Sequence, residues 1–476
     1  MELFTAIISL MKLEWLLIGT ILLLLMFKLT NNSLSSKQML LLVNLLIVGC
    51  LAISFILPNP IKSASLFNEM FVSGQLIVFE KQLLLSATFL VSLISYPWLV
   101  NKTIQIEFYI MLLTSLTGMF FMLSSGNLLM LYVALEMATI PLAVLVNFDL
   151  EKKKASEAAM KMIFNSAMSS GFLLMGISFI YGLTGSLQFS QLAVANFSTP
   201  LAWLAFILFF TGFAFKVSAV PFHFWTADVY EGAPVGVTAF LSVVSKAAAT
   251  LTFMHIFYNV FTGLQHQWIF IVIVLSFLTL VVGNLFALKQ QSFKRFMAFS
   301  SIAQVGFVLL AMSANNHLAQ AAIVYFIAIY AVTNLAVFFV IALVDNISSN
   351  DAIEQFSGFY QHNKLLTWVL ALALFSLAGI PPTAGFFSKF FLLFAGSATI
   401  SLGWLLFALL NVVVSLYYYL QIVRKMFGEA KEPSVSIAVS LEQWQKLLAF
   451  IFLIGILLMG MVSNIYEFIH SITLVE

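Results

Sequence analysis

Five ionisable side chains lie inside long apolar runs of this sequence, where a charged group is costly. Four are lysines and the fifth is a glutamate: Lys161, Lys216, Lys246, Lys389 and Glu136. An ionised side chain at the centre of a bilayer costs at least ~2.5–3.5 kcal/mol. Glu136, in LYVALEMATIP, lies about 18 Å from Asp149 if the segment between them is helical. A purely structural chain has no reason to bear this cost five times, so the pattern predicts a path for protons or ions.

Each of these side chains also has a structural interpretation. Lys161 lies about one turn from the basic loop EKKK, so its ammonium can reach the interface along a flexible stem. Glu136 and Lys216 can form a static ion pair that fixes helix contacts. Lys246 and Lys389 have no acidic neighbour in sequence, which makes a purely structural pair a poorer explanation for them.

A helix breaker follows the first of the deeply placed lysines. In FAFKVSAVPFHFW, Pro221 comes five residues after Lys216, and His223 follows. Proline removes a backbone hydrogen bond, and a broken helix at membrane depth is tolerated only inside protein or beside water. Burial disfavours the charged ammonium and a nearby carboxylate such as Glu136 favours it. A lysine held between these two effects can take up and release a proton. His223 is either a further proton carrier or a histidine that bonds a backbone carbonyl.

Composition places the chain in a membrane. Of its 476 residues, 62% are hydrophobic and 8% are charged, whereas soluble domains carry roughly 25% charged residues. The net charge of +2 argues against a nucleic-acid partner. A single cysteine, Cys50, excludes a disulfide framework and a thiolate metal site. The sequence therefore predicts an all-α polytopic membrane protein.

About fourteen runs are long enough to cross a bilayer. They are 15–30, 39–57, 82–100, 107–125, 127–148, 158–183, 200–220, 236–262, 268–288, 297–314, 318–344, 365–381, 403–426 and 446–468. Basic residues concentrate in the loops after odd-numbered runs, whereas Lys62 and Lys81 are assigned to an external segment, 58–81. The positive-inside rule then places both termini on the periplasmic side of a bacterial-type inner membrane.

Two long apolar segments are interrupted by proline. The first, 200–235, contains Pro221, and the second, 365–400, contains Pro381 and Pro382. They are runs seven and twelve, so they cross the membrane in opposite directions, as in inverted-repeat transporters. This predicts four parts, each defined by its runs: 1–106 with runs 1–3, 107–262 with runs 4–8, 263–427 with runs 9–13, and 428–476 with run 14.

Several uncommon motifs carry a family resemblance across residues 107–427. They include LEMATIPL, GFAFKVSAVPFHFWTADVYEGAP, KRFMAFSSIAQVGF and SLAGIPPTAGFFSKF. With these motifs the chain resembles the subunit N family of respiratory complex I, the proton-pumping NADH-quinone oxidoreductase. The related M-type subunits usually have glutamate at the position of Lys389, and the L- and M-type subunits and multisubunit antiporters usually carry a histidine in the stretch that reads DVYEGAP here.

The resemblance implies a set of proton-transfer residues. Glu136 and Lys216 would form the ion pair of a first half-channel, Lys246 a central relay, and Lys389 the lysine of a second half-channel. Lys161 matches a further lysine of the family motif, with a less settled role. Gln304 stands where the family commonly has histidine. Because glutamine cannot be protonated, a relay there would need water or hydroxyls such as those of Ser300 and Ser301.

The resemblance also implies partners and cofactors. The chain would bind no cofactor or metal itself, and NADH, FMN, iron–sulfur clusters and quinone would belong to partner subunits of the membrane-embedded complex.

Two alternatives stay open. One is a subunit of a multisubunit sodium/proton antiporter. Sodium-dependent transport without a redox partner would support this alternative. The other is a structural spacer whose buried charges only fix helix packing.

Overall fold

The computed structural model describes residues 7–30, 35–57, 63–195, 197, 199–348, 351–429, 437–462 and 464–474. Within these ranges, twelve helices are long and apolar enough to cross a membrane. Lys12–Leu29 has the length of a span but includes three charged residues, and two shorter apolar helices, Lys364–Ala378 and Ala384–Gly396, lie on either side of the second predicted break. The prediction of an all-α, multi-pass membrane fold with about fourteen spans is confirmed.

One compact unit, here called unit 1, comprises Met1–Val217, Gly232–Trp268 and Ile472–Glu476. An antiparallel hairpin precedes its third helix, with Ser65 opposite Val72. The elements that lie in unit 1 are α1 Lys12–Leu29, α2 Ser36–Ile56, β1 Ala64–Leu66, β2 Phe71–Ser73, α3 Gln75–Leu99, α4 Gln105–Leu123, α5 Leu128–Val146, α6 Lys153–Thr184, α7 Phe189–Ala193, α8 Pro200–Val217 and α10 Val235–Asn259.

The second compact unit, unit 2, comprises Ser218–Glu231 and Ile269–Ser471. The segment that follows the first break thus groups with the later part of the chain rather than with its own neighbours in sequence. The helices that lie wholly or mainly in unit 2 are α9 Phe224–Gly232, α11 Gln265–Ala287, α12 Phe293–Met312, α13 His317–Ser348, α14 Lys364–Ala378, α15 Ala384–Gly396, α16 Leu402–Phe427, α17 Gln443–Met461 and α18 Asn464–Thr473.

Both predicted helix breaks are present. Helix α8 ends at Val217 and α9 begins at Phe224, whereas α14 ends at Ala378 and α15 begins at Ala384. The Val220–Pro221 and Pro381–Pro382 peptide bonds are cis. Gly379, the residue after α14, has a φ of +86°, a left-handed conformation that glycine adopts without steric cost and that commonly ends helices. The prolines and this glycine explain why each segment forms two helices instead of one.

Phenylalanine side chains fix the helices that carry two of the deeply placed lysines. The rings of Phe213 and Phe253 meet edge to face, with centroids 3.6 Å apart. Phe213 precedes Lys216 on α8, and Phe253 follows Lys246 on α10. Part of the phenylalanine content therefore holds α8 and α10 together near the lysines.

The structure corrects the assignment of Lys81 to an external segment. Lys81 lies inside α3, which begins at Gln75, and its side chain is 1% exposed. Its Nζ donates to Glu14 Oε1 at 2.5 Å and to Ser124 Oγ at 2.5 Å. The prediction was wrong because the carboxylate that permits burial comes from α1, 67 residues earlier in the chain. Lys62, the other lysine assigned to that segment, lies outside the described residues.

Candidate functional site

Lys216 is held by hydroxyl groups from two neighbouring helices. It lies in the last turn of α8, and its Nζ donates to Thr139 Oγ1 at 2.7 Å and to Ser166 Oγ at 2.9 Å. Thr139 belongs to α5 and Ser166 to α6. Hydroxyl oxygens accept hydrogen bonds from an ammonium without carrying charge themselves. The first lysine therefore rests on neutral acceptors.

Glu136 is an electrostatic neighbour of Lys216 rather than a contact partner. It lies three residues before Thr139 on α5, which places both side chains on one face of the helix. A carboxylate in the neighbourhood of a lysine favours the charged ammonium. Among the described residues, no nitrogen–oxygen pair within 4.0 Å joins the two, and the buried Oε1 of Glu136 has no hydrogen-bond partner.

Small and hydroxyl-bearing residues of α4 position the turn that carries Glu136. Gly118 packs against the α5 backbone so closely that a Cβ atom would lie 2.7 Å from the carbonyl carbon of Met137. Ser115 Oγ donates to the carbonyl of Ala138 at 2.6 Å. The glycine and serine thus allow α4 and α5 to approach at the position where the carboxylate must be fixed.

Lys246 is buried at the point where α10 changes its helical geometry. The residues just before it, Leu241–Ser245, form a π-helical turn, and Lys246 begins the regular part that follows. The side chain is buried, and Thr250 Oγ1 donates to the Lys246 carbonyl at 2.7 Å. Single π-turns inside α-helices occur often at functional sites because they re-aim side chains. No sequence pattern signalled this turn.

Lys389 lies on α15 but returns to the end of the preceding helix. Its Nζ donates to the carbonyls of Leu377 at 2.6 Å and Ala378 at 3.4 Å, and it lies 5.1 Å from the centre of the Phe307 ring. The last carbonyls of a helix have no intrahelical donor and carry partial negative charge. The interruption after α14 therefore provides the acceptors for the second lysine.

Gln304 connects Lys389 to a buried tyrosine. Its Nε2 donates to the same Leu377 carbonyl at 3.3 Å and to Tyr419 Oη at 3.4 Å. Tyr419 Oη in turn lies 2.5 Å from Ser300 Oγ. The sequence analysis proposed the hydroxyls of Ser300 and Ser301 near Gln304, but the hydroxyl that Gln304 contacts is that of Tyr419, which it missed. The tyrosine was visible only as part of the run LYYYLQ, which gives no indication of which ring faces α12.

The two remaining candidates occupy different surroundings. Lys161 is partly exposed and pairs with Glu157 one turn earlier, with 2.7 Å between Nζ and Oε1. His223 is buried in the segment after the first break, with its ring 4.5 Å from that of Phe224.

Unit 1 also buries charged groups that sequence reasoning did not identify. Besides Lys81 and its partner Glu14, the neighbouring Glu80 is fully buried, and both of its carboxylate oxygens lie 2.9–3.0 Å from His255 Nε2. Glu80 and Lys81 are adjacent in sequence, so they read as an interfacial charge pair at the start of a span. Their partners come from α1 and α10, which no local pattern reveals.

These features define a class of membrane protein. The chain is a polytopic helical membrane protein of the antiporter-like fold, with two interrupted helices and a lysine near each interruption. Residues 125–416 match the family described as "NADH:quinone oxidoreductase/Mrp antiporter, TM". The chain belongs to this family.

Individual relatives support the same assignment. NADH-quinone oxidoreductase subunit N of Azobacteroides pseudotrichonymphae is 46% identical over 411 residues, which is 86% of each chain. A chain of respiratory complex I from Thermus thermophilus superposes with a TM-score of 0.81 at 27% identity, covering 95% of this chain and 97% of that one. A chain of the Mrp complex from Dietzia sp. gives a TM-score of 0.81 at 19% identity, over 97% and 96% of the two chains, and shows the shared fold alone. The resemblance to subunit N inferred from the motifs is confirmed.

Proposed function

We propose that this chain is a proton-translocating membrane-arm subunit of NADH-quinone oxidoreductase. The observation that carries the proposal is the set of acceptors around two lysines, of which Lys216 is partly buried and Lys389 is buried. Lys216 rests on the hydroxyls of Thr139 and Ser166, and Lys389 rests on the carbonyls of Leu377 and Ala378. Because these acceptors are neutral, either lysine can lose its proton without leaving a contact carboxylate unpaired.

In this proposal each of the four proton-transfer residues has its own role. Glu136 takes part in proton transfer together with Lys216, because a nearby carboxylate favours the ammonium form of a lysine. Lys246 serves as the relay of unit 1, and Lys389 is the proton carrier of unit 2. Arginine would not serve at these positions because it keeps its proton in proteins.

The energy for transport comes from outside this chain in this proposal. Other membrane-arm subunits are its partners, as the names of its relatives indicate. NADH, FMN, iron–sulfur clusters and quinone are handled by partner subunits, and this chain contributes no redox site. The loop charges support an arrangement in a bacterial inner membrane with both termini on the periplasmic side.

The proposal is tested with Lys216→Ala and Lys246→Ala in the complete complex. We expect both complexes to assemble and to lose most of their proton pumping, because no titratable group replaces the amine. Pumping is measured in inverted membrane vesicles, and assembly is measured separately on native gels. Lys446→Ala, at an exposed position on α17, is the control. Assembled variants of both lysines that pump at the wild-type rate would refute the proposal.

The family match and the shared Mrp fold also support a second candidate, a subunit of a sodium/proton antiporter. The two candidates differ in what drives transport. A complex that pumps protons only when NADH and quinone are supplied, with or without sodium, supports the first. Sodium-dependent proton exchange in vesicles without a redox substrate would favour the second.

A further inference from the structure

Unit 1 contains a buried carboxylate that is paired with a histidine. Glu80 lies in the second turn of α3, and both of its carboxylate oxygens lie 2.9–3.0 Å from Nε2 of His255. Lys81, the next residue, is paired with Glu14 instead. A buried carboxylate is costly unless a partner balances its charge. His255 balances the charge of Glu80 when its imidazole carries a second proton.

A cavity of about 400 Å³ reaches this histidine. Its lining includes His255 and Thr252 of α10, Glu69 of the turn between β1 and β2, and Ser190 of α7. The side chain of His255 is 15% exposed and that of Glu80 is 0% exposed. Water therefore meets the imidazole, and the imidazole separates the carboxylate from water.

The hydroxyl of Thr252 indicates that this cavity holds water. Thr252 is buried, and its Oγ1 has no hydrogen-bond partner among the described residues. Buried polar groups are almost always bonded to protein or to ordered water. Thr252 precedes His255 by three residues, so both side chains lie on one face of α10. A water bound to Thr252 is thus on the same face of the helix as the imidazole.

The hairpin forms a fixed wall of the cavity. The backbone N–H of Gly126 donates to the carbonyl of Met70 at 2.8 Å, and a Cβ atom on Gly126 would lie 1.9 Å from the carbonyl oxygen of Glu69. The Oγ of Ser190 donates to Oε2 of Glu69 at 2.5 Å. The hairpin is therefore held against the turn between α4 and α5, and its carboxylate is tied to α7.

Carboxylates outnumber cations around His255. The titratable side chains near it are Glu80 and Lys81 of α3, Glu14 of α1, Glu69 of the hairpin turn and Tyr258 of α10. The residues that α4 and α7 contribute to the cavity carry no charge. Lys81 and Glu14 offset each other, and a nearby carboxylate favours the charged imidazolium.

The loops around the cavity belong to the predicted external side. Lining residues come from segments 63–72, 125–126 and 189–190. These segments follow the second, fourth and sixth apolar runs, and the positive-inside rule places the loops after even-numbered runs outside. The cavity therefore opens toward the predicted external side.

We infer that Glu80 and His255 form a proton-binding site that exchanges protons with the predicted external side through this cavity. In the exchange a hydronium ion in the cavity gives a proton to the imidazole. One O–H bond breaks, one N–H bond forms, and a water molecule remains. The pair changes from one negative charge to none, and an ion pair then joins α3 to α10, the helix that also carries Lys246. The site goes beyond the proposed function, and only its effect on pumping rests on that function.

The first test follows the proton on the histidine directly. Diethyl pyrocarbonate crosses membranes and modifies neutral imidazole, and peptide mass spectrometry reports the modification of each histidine. Sealed inverted vesicles, whose lumen is the external side, are held at one outer pH while the lumen is varied over roughly pH 5–8, where imidazole titrates. We expect modification of His255 to follow the lumen pH. His362, exposed in a predicted cytoplasmic loop, should follow the outer pH in the same sample. Modification of His255 that follows the outer pH, or neither pH, would overturn the inference.

The second test removes the charge of the carboxylate. Glu80→Gln keeps an acceptor beside Nε2 of His255 and loses the negative charge. We expect the midpoint of His255 modification to move to lower pH by about 1–3 pH units, because the carboxylate no longer favours the imidazolium. His266, an exposed histidine of the same unit, should keep its midpoint. An unchanged His255 midpoint in assembled complex would show that Glu80 does not take part in proton binding.

The effect on pumping is tested with His255→Gln. Glutamine can still donate a hydrogen bond to Glu80, but it does not take up a proton. We expect wild-type pumping to fall as the lumen is acidified at fixed outer pH, because the loaded pair holds α10 against α3, and we expect the variant to lose this dependence. His266→Gln is the control. Equal lumen-pH profiles of the two variants would show that the site does not act on pumping.

Failure of this site and failure of the proposed function give different results. If Lys216→Ala and Lys246→Ala pump normally, the proposed function fails, and the modification experiment still reports on His255. If both variants lose pumping but modification of His255 does not follow the lumen pH, only the proton-binding site is wrong.

Discussion

The Thr139 hydroxyl that contacts Lys216 can be replaced by a methyl group of similar size, which tests its role in holding this lysine. Thr139→Val keeps the shape of the side chain and removes an acceptor that lies 2.7 Å from the ammonium. A hydrogen bond to a charged group contributes about 1.5–3 kcal/mol. If ammonium formation limits transport, the loss should slow pumping by about 10- to 150-fold, since each 1.36 kcal/mol changes a rate tenfold.

The chain offers a closely matched control for this substitution. Thr139 Oγ1 also donates to the carbonyl four residues earlier, at 2.7 Å, and Thr117 Oγ1 makes the same bond on the neighbouring helix at 2.8 Å. Thr117→Val therefore removes the same neutral bond from a buried position but no contact with a lysine. Pumping and assembly are measured for both variants in inverted vesicles. If Thr139→Val and Thr117→Val pump equally well, the hydroxyl does not support the charged lysine and the reasoning fails.

Three further outcomes follow from the same structure. Lys389→Arg should assemble yet pump poorly, because its charge is fixed, whereas Lys389→Glu should keep partial pumping in vesicles; an active arginine variant would remove titration from the role of this residue. Gly118→Ala should lower the free energy of unfolding by about 1–3 kcal/mol, because the added methyl overlaps the α5 backbone. In the control Gly171→Ala the added methyl meets nothing within 4 Å, so this variant should unfold like the wild type. Lys81→Met should lower the free energy of unfolding by about 3–5 kcal/mol, because it leaves the Glu14 carboxylate buried and unpaired. Adding Glu14→Gln should recover part of that loss, as measured by thermal unfolding. Equal stability of the single and double variants would show that the carboxylate is not the cause.

The sequence by itself determined the solvent, the approximate spans and the two breaks. A lipid environment requires runs of about 20 apolar residues, and this requirement is local, so composition and hydropathy reveal it. Proline interrupts a helix within its own turn, which is why Pro221 and Pro381 marked the breaks correctly. Lys216, Lys246 and Lys389 stood out for the same reason, because a single charge in an apolar run is visible without knowledge of its neighbours.

Only the tertiary structure decided what these charges touch. Lys216 is held by Thr139, 77 positions away, and Tyr419 meets Ser300 across 119 positions. The sequence assigned Lys81 to a loop because its partner lies 67 residues earlier. A buried charge is tolerated when helices distant in the chain bring oxygen atoms to it, since lipid supplies none. Periodicity within one helix shows which face a side chain is on, but helix packing decides which oxygen atoms that face meets.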